Sequence, residues 1–139
     1  MPEPGPDTTR TAARWVLAIL YGAAGALHLV TPDTFVQITP DWVPFPRQVI
    51  VVTGLCEIAG AIGLLTPSLR RAAGIALALY AVCVFPANIK HAMDSLSDGP
   101  GQLGWWYHAP RLALQPALVW WALFAGDIIQ WPFGRSPRR

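Results

Sequence analysis

Between Gln48 and Leu69 the chain carries one charged residue, Glu57. A run this apolar needs either a large core around it or a bilayer, where a helix of ~20 residues crosses ~30 Å of hydrocarbon. Composition decides between the two. Of 139 residues, 53% are hydrophobic and only 13% charged, against roughly 25% charged in an ordinary soluble domain. Mean hydropathy is +0.38. So few charges cannot clothe a soluble domain of this size, and an integral membrane protein is the expectation.

Four runs have the length of membrane helices: about 12–30, 48–66, 70–91 and 110–131. Their continuous apolar character excludes barrel strands, which alternate over short segments. The expected fold is all-α, a transmembrane four-helix bundle, antiparallel and up-down, over residues 12–131. A disordered tail, 1–11, precedes it and a basic tail, 132–139, follows. The first run has a second reading as a secretory signal, with Arg10 and Arg14 before an apolar stretch that ends in Ala24-Gly25-Ala26. Against it, Glu3 and Asp7 stand among the leading residues and the apolar run continues past the supposed cleavage point.

Net charge is +2, and the basic residues sit in small groups with nearly charge-free chain between them. That is the pattern of loops flanking spans, not a nucleic-acid footprint. With the N-terminus cytoplasmic, Arg10, Arg14, Arg70, Arg71, Arg135, Arg138 and Arg139 fall inside, and Arg47, Lys90 and Arg111 outside. The excess of basic residues on one side orients the bundle with both termini cytoplasmic. The expected location is a bacterial plasma membrane, with the lipid bilayer as first partner.

Gly22, Ala26, Ala59, Gly63, Gly74 and Ala78 give small-residue spacings that let helix backbones approach. Trp15, Trp105, Trp106 and Trp131 fit interfacial anchors, whereas Trp120 and Trp121 lie deeper and face lipid or fill the bundle. Cys56 and Cys83 form no CxxC pair and fall in apolar runs, so buried free thiols are expected and no metal site.

The polar residues gather at one depth. His28 is near the outer end of the first span, Asn88 near that of the third, and Arg111 and Gln115 near that of the fourth. At 1.5 Å per residue, Glu57 lies roughly 15 Å deep. The inner half is expected to hold almost no polar side chains. Ionisable residues in spans usually face the bundle interior and usually have partners. Glu57 therefore either pairs with Arg111 or His28, or carries a proton and can relay it. His28, Asn88 and Gln115 are either interhelical hydrogen-bonding groups or ligand contacts, and Arg111 either snorkels or binds. Lys90, His91 and His108 read as solvated loop residues. The first outer loop, TPDTFVQITPDWVPFPRQ, is proline-rich and aromatic, and Pro44 and Pro46 exclude a regular helix there. Phe35, Trp42 and Phe45 would form either a lid over the bundle mouth or a rigid interfacial connector. Pro86 removes one helical hydrogen bond and leaves a carbonyl near residue 82 to be satisfied by a neighbour.

Four segments in order, GALHLVTPDTFVQITPDWVP, TGLCEIAGAIGLLTPSLRRAAG, VFPANIKHAM and RLALQPALVWWAL, resemble the DoxX-like family of small four-span membrane proteins, from about residue 21 to 124. The resemblance carries over His28, Trp42, Glu57, Asn88, Arg111 and Gln115 as characteristic positions and ligand-binding candidates, together with Gly54, Gly63, Pro44 and Pro86. Leu29 stands where an aromatic is common, and Ala113 where proline is common.

The resemblance implies a quinone-associated subunit or accessory of a membrane redox system, with an outward-facing polar pocket. It would work with a membrane or peripheral redox partner, or as a homo-oligomer. The residues show no haem, dinucleotide or iron–sulfur motif, so no intrinsic cofactor is expected and a bound quinone or a partner would hold the electrons. Two further readings stand beside it. One is a non-catalytic assembly or lipid- and partner-binding protein. The other is a stand-alone membrane enzyme with Glu57 as acid or base. No self-contained catalytic motif specifies a reaction.

Overall fold

The computed structural model describes residues 6–97 and 104–132. They form five helices and, among the described residues, no strand: α1 Pro6–Val30, α2 Pro32–Val36, α3 Pro46–Leu65, α4 Arg70–Ser97 and α5 Trp105–Ala125. Proline opens α2 and α3, where a missing N–H costs nothing because the first turn has no partner for it. Pro46 thus starts a helix where the loop reading expected it only to forbid one. Phe45 before it takes a left-handed backbone, φ 50°, whereas a residue preceding proline is ordinarily extended.

Several boundaries differ from expectation. α1 begins at Pro6, ahead of residue 12, and α4 runs on to Ser97, beyond 91. α5 lies upstream of its expected range, 110–131. It starts after Gly104, and Pro110 is interior to it, where an early proline removes a single hydrogen bond. The helix ends because Asp127 turns left-handed, φ 62°. The Ile128 N–H then reaches back to the Leu123 carbonyl at 3.0 Å, and that of Asp127 to Phe124 at 3.2 Å. This pair of bonds is the usual way a left-handed residue closes a helix. The expected tails fall in part on residues 1–5 and 133–139, outside the described residues.

α1 packs against α3 and α5, and α4 against α3 and α5, with α2 lying on α3 and α1. The centre is built from Leu17, Tyr21, Leu64, Leu77 and a set of alanines including Ala61, Ala78 and Ala122. The closest approaches use glycine. A Cβ on Gly25 would lie 2.6 Å from the Gly54 carbonyl, and one on Gly74 would lie 2.7 Å from the Gly126 Cα. Outward, Trp15, Ile19, Ile62 and Leu79 are each more than half exposed. Apolar surface of that extent marks contact with lipid or protein.

Three helices are long and apolar enough to cross a membrane, within Thr8–Val30, Pro46–Leu65 and Arg70–Ser97. α5 is 21 residues long but carries His108, Arg111, Gln115 and two prolines, so its mean hydropathy falls short. Cys56 and Cys83 are exposed free thiols, not buried ones. Cys83 is among the residues that line the cavity described below; both thiols sit on helices that are apolar around most of their circumference, where azimuth cannot be read from pattern.

Candidate functional site

The second half of α1, the first half of α3, the second half of α4 and the first half of α5 surround a cavity of ≈ 630 Å³, within the range of small-molecule pockets, roughly 300–1,000 Å³. His28, Trp42, Glu57, Asn88, Arg111 and Gln115 all line it. Its remaining walls are largely apolar, with Leu20, Val43, Val49, Ile50 and Leu114 among them. The segment after α1 forms one side. Phe35, Ile38, Thr39, Pro40, Trp42 and Val43 reach the cavity, while the Trp42 ring itself is mostly exposed at its rim. An exposed Arg47–Asp33 ion pair ties this segment to the start of α3.

The cavity has two polar walls. On the first, the Gly25–Gly54 approach of α1 and α3 sets His28 against Glu57, with Nδ1 and Oε2 2.7 Å apart. Nδ1 is also 2.9 Å from the Ala24 carbonyl one turn back. The Nδ1–Oε2 separation satisfies an ion-pair distance, yet Oε2 has no well-directed hydrogen bond. One N–H cannot point fully at two acceptors, and the Ala24 carbonyl has the better direction. Glu57, 3% exposed, therefore keeps a buried oxygen short of a donor. The Tyr80 side chain interacts with both Glu57 and Thr53, and Tyr21 lies within the field of the same carboxylate. Phe35 covers the imidazole, ring centroids 4.0 Å apart. Of the partners open to Glu57 from sequence, the structure selects His28; among the described residues no ion pair joins it to Arg111.

The second wall is a chain of hydrogen bonds between α4 and α5. Arg111 Nη2 donates to Asn88 Oδ1 at 2.7 Å, Asn88 Nδ2 to Gln115 Oε1 at 3.0 Å, and Gln115 Nε2 to the Ala81 carbonyl at 2.5 Å. Ala81 is five residues before Pro86, next to the carbonyl that the proline leaves short. The side-chain donor therefore falls on the Ala81 carbonyl and not on that of Val82, the one that the proline leaves short. Arg111 Nη1 is 2.7 Å from His91 Nδ1. A guanidinium has no acceptor, so Nδ1 must be the unprotonated nitrogen of that ring. Asn88 and Gln115 are thus largely committed to each other, whereas Arg111 has donors beyond the two used here.

His108 corrects the solvated-loop reading. It is fully buried, both ring nitrogens lack a hydrogen-bond partner, and it packs edge-on to His91 at 5.1 Å and Tyr107 at 5.0 Å. The reason is the early start of α5, which carries residue 108 into the helix. Among the described residues no group of three His, Cys, Asp or Glu converges as a metal would require.

The opposite end corrects a second expectation, that it would hold almost nothing polar. Arg10 and Arg14 of α1 and Arg70 at the start of α4 converge on Asp127 after α5. Sequence reading treated these arginines as topology markers. An acid following Ala125-Gly126, at the end of an apolar run flanked by arginines, was the available signal.

The cavity lies within the part of the chain, residues 17–126, that matches a family profile described as Domain of unknown function (DUF8561). The chain belongs to that family. No curated protein and no solved structure matches it. The matched segment covers every residue that lines the cavity, and leaves Asp127 just past its edge.

Proposed function

We propose that this chain is a four-span, DoxX-like membrane bundle with both termini cytoplasmic, in a bacterial plasma membrane, and that its cavity binds a quinone-type amphiphile. The observation that carries the reading is the meeting of all six polar and aromatic candidates around one largely apolar space. The residues fit a quinone head. Arg111 offers unused N–H donors to a carbonyl oxygen, and Glu57 Oε2 offers an acceptor to a hydroxyl. The apolar walls suit an isoprenoid-like tail. A bound quinone would supply the electron acceptance; the chain's own residues hold and orient the head, exclude water and receive a proton or hydrogen bond at Glu57. The electrons would come from a membrane or peripheral partner.

The test is extraction of bound lipids from purified full-length protein, with titration of a short-chain ubiquinone analogue followed by Trp42 fluorescence. Saturable quenching should be lost in Trp42→Phe. In Arg111→Leu affinity should fall about tenfold, the cost of one charge-assisted hydrogen bond. Absence of any quinone with no saturable quenching overturns the reading, and a tightly held phospholipid in its place favours a lipid-binding protein without redox chemistry. Topology is tested separately, in a Cys56→Ala, Cys83→Ala background. Ser97→Cys should label from the periplasmic side and Ser68→Cys from the cytoplasmic side; the reverse pattern inverts the orientation.

A further inference from the structure

At the end of the molecule away from the cavity, three guanidinium groups meet one carboxylate. Arg10 Nη1 is 3.1 Å from Asp127 Oδ1, Arg14 Nη2 is 3.1 Å from Oδ2, and Arg70 Nη1 is 3.6 Å from Oδ2. The remaining bonds go to backbone: Arg14 Nε to the Ala125 carbonyl, Arg10 Nη2 to that of Ile129 and Arg70 Nε to that of Leu64. Carbonyls satisfy hydrogen bonds but carry no countercharge. Guanidinium stays protonated in proteins. Three positive charges against one negative leave a surplus of two among the described residues.

That surplus is not a solvated fringe. The Arg10 and Arg14 side chains are 10% and 8% exposed. Arg10 Nε is buried with no partner, and its guanidinium lies 4.6 Å from the centre of the Phe124 ring. The two other guanidinia lie close enough to repel Arg14. Unbalanced buried charge is costly, by several kcal/mol per ion, unless a counterion completes the site. Arg70 and Asp127, about a quarter exposed, form the open edge through which an anion can approach.

We infer that the Arg10–Arg14–Arg70 cluster is a binding site for a phosphate group, supplied by the headgroup of an anionic phospholipid. Arginine forks match phosphate oxygens in pairs. The cluster sits where α1 and α4 begin and α5 ends, and the indole rings of Trp15 and Trp131 are exposed in the flanking segments, as expected of side chains at headgroup depth. Soluble phosphate shares the recognition chemistry. The lipid is preferred because the cluster lies at the ends of membrane-length helices.

The experiment is native mass spectrometry of the full-length protein after exchange into micelles containing phosphatidylglycerol or phosphatidylcholine, with inorganic phosphate as competitor. Wild type should retain phosphatidylglycerol about tenfold more than phosphatidylcholine. Arg70→Gln should abolish that preference, because Arg70 is the least buried of the three and its loss leaves the Arg10–Asp127 and Arg14–Asp127 contacts in place. Arg71→Gln, which removes an exposed charge at the adjacent position, should leave the preference intact. Equal retention of both lipids by wild type overturns the inference, as does an equal loss in the Arg70 and Arg71 variants, which would signal diffuse attraction to basic residues. Full displacement by inorganic phosphate overturns the lipid assignment. Circular dichroism of each variant separates loss of binding from loss of fold.

Discussion

Replacing Asp127 separates the two tasks it performs, holding a left-handed turn and balancing arginines. Asp127→Ala removes the only carboxylate among the described residues of the cluster and keeps a Cβ at φ 62°. Breaking a buried ion pair from one side costs ~3–5 kcal/mol. Asp127 is 27% exposed, so water offsets part of that, and a loss of ~2–4 kcal/mol is expected. Asp127→Gly loses the same charge but relieves the left-handed backbone, recovering about 1 kcal/mol. Asp127→Asn tolerates that backbone and keeps an acceptor for the 3.1 Å contacts; weakening two charge-assisted bonds to neutral-acceptor ones costs ~1–2 kcal/mol. The expected order of stability is wild type, Asn, Gly, Ala, read from reversible denaturation in mixed micelles. A glycine variant at least as stable as the asparagine variant would refute the reasoning, because turn geometry and not charge would then govern the site.

Three further outcomes follow from the packing and the cavity. Gly25→Ala places a methyl 2.6 Å from the Gly54 carbonyl and 2.8 Å from Ile58 Cγ1, so α1 and α3 must part; thermal unfolding should show a loss of ~1–3 kcal/mol, and an unchanged midpoint would deny the close approach. Gln115→Leu deletes the bonds to Asn88 and to the Ala81 carbonyl; bonds between membrane helices average ~0.6 kcal/mol, so ~1–2 kcal/mol should be lost, and a double-mutant cycle with Asn88→Leu should give a coupling clearly above zero. Glu57→Gln keeps size but replaces one carboxylate oxygen with a donor; quinol-analogue affinity should fall about tenfold with the fold intact by circular dichroism, and undiminished affinity would remove Glu57 from the binding set.

Much of the cavity was legible because charge in an apolar run has few places to go. Glu57, Arg111, His28, Asn88 and Gln115 had to face inward, and helical rise placed them at neighbouring depths. What the residues did not reveal was pairing. Whether Glu57 meets His28 or Arg111 depends on which helices touch, and that is fixed by the Gly25–Gly54 approach, of which only Gly54 stood out beforehand. His108 was misplaced because Pro110 looks like a helix start, whereas Gly104 is the cap. The arginine cluster was missed for another reason. Arg10, Arg14 and Arg70 satisfy a topology pattern by number alone, and nothing in that pattern distinguishes a solvated arginine from one buried against Asp127.

The two ends of the molecule have opposite constructions, and the difference bears on the cavity. At the Asp127 end, three helices are cross-linked through side-chain ion pairs, and α3 joins through the bond from Arg70 to the Leu64 carbonyl. The Gly74–Gly126 approach closes the backbone there as well. At the cavity end most polar links lie within helix pairs. α1 and α3 share His28–Glu57, α4 and α5 share the Asn88–Arg111–Gln115 chain, and the Tyr80 side chain on α4 reaches across to Glu57 and Thr53 on α3. Two helix pairs cross-linked by several ion pairs at one end and bridged through Tyr80 at the other can differ in separation at the cavity with few polar contacts to break. A ligand whose head reaches both walls would add a further cross-link. On this construction, ligand binding should stabilise the cavity end specifically, and amide exchange should slow in residues 49–57 and 81–88 while residues around Asp127 remain unchanged.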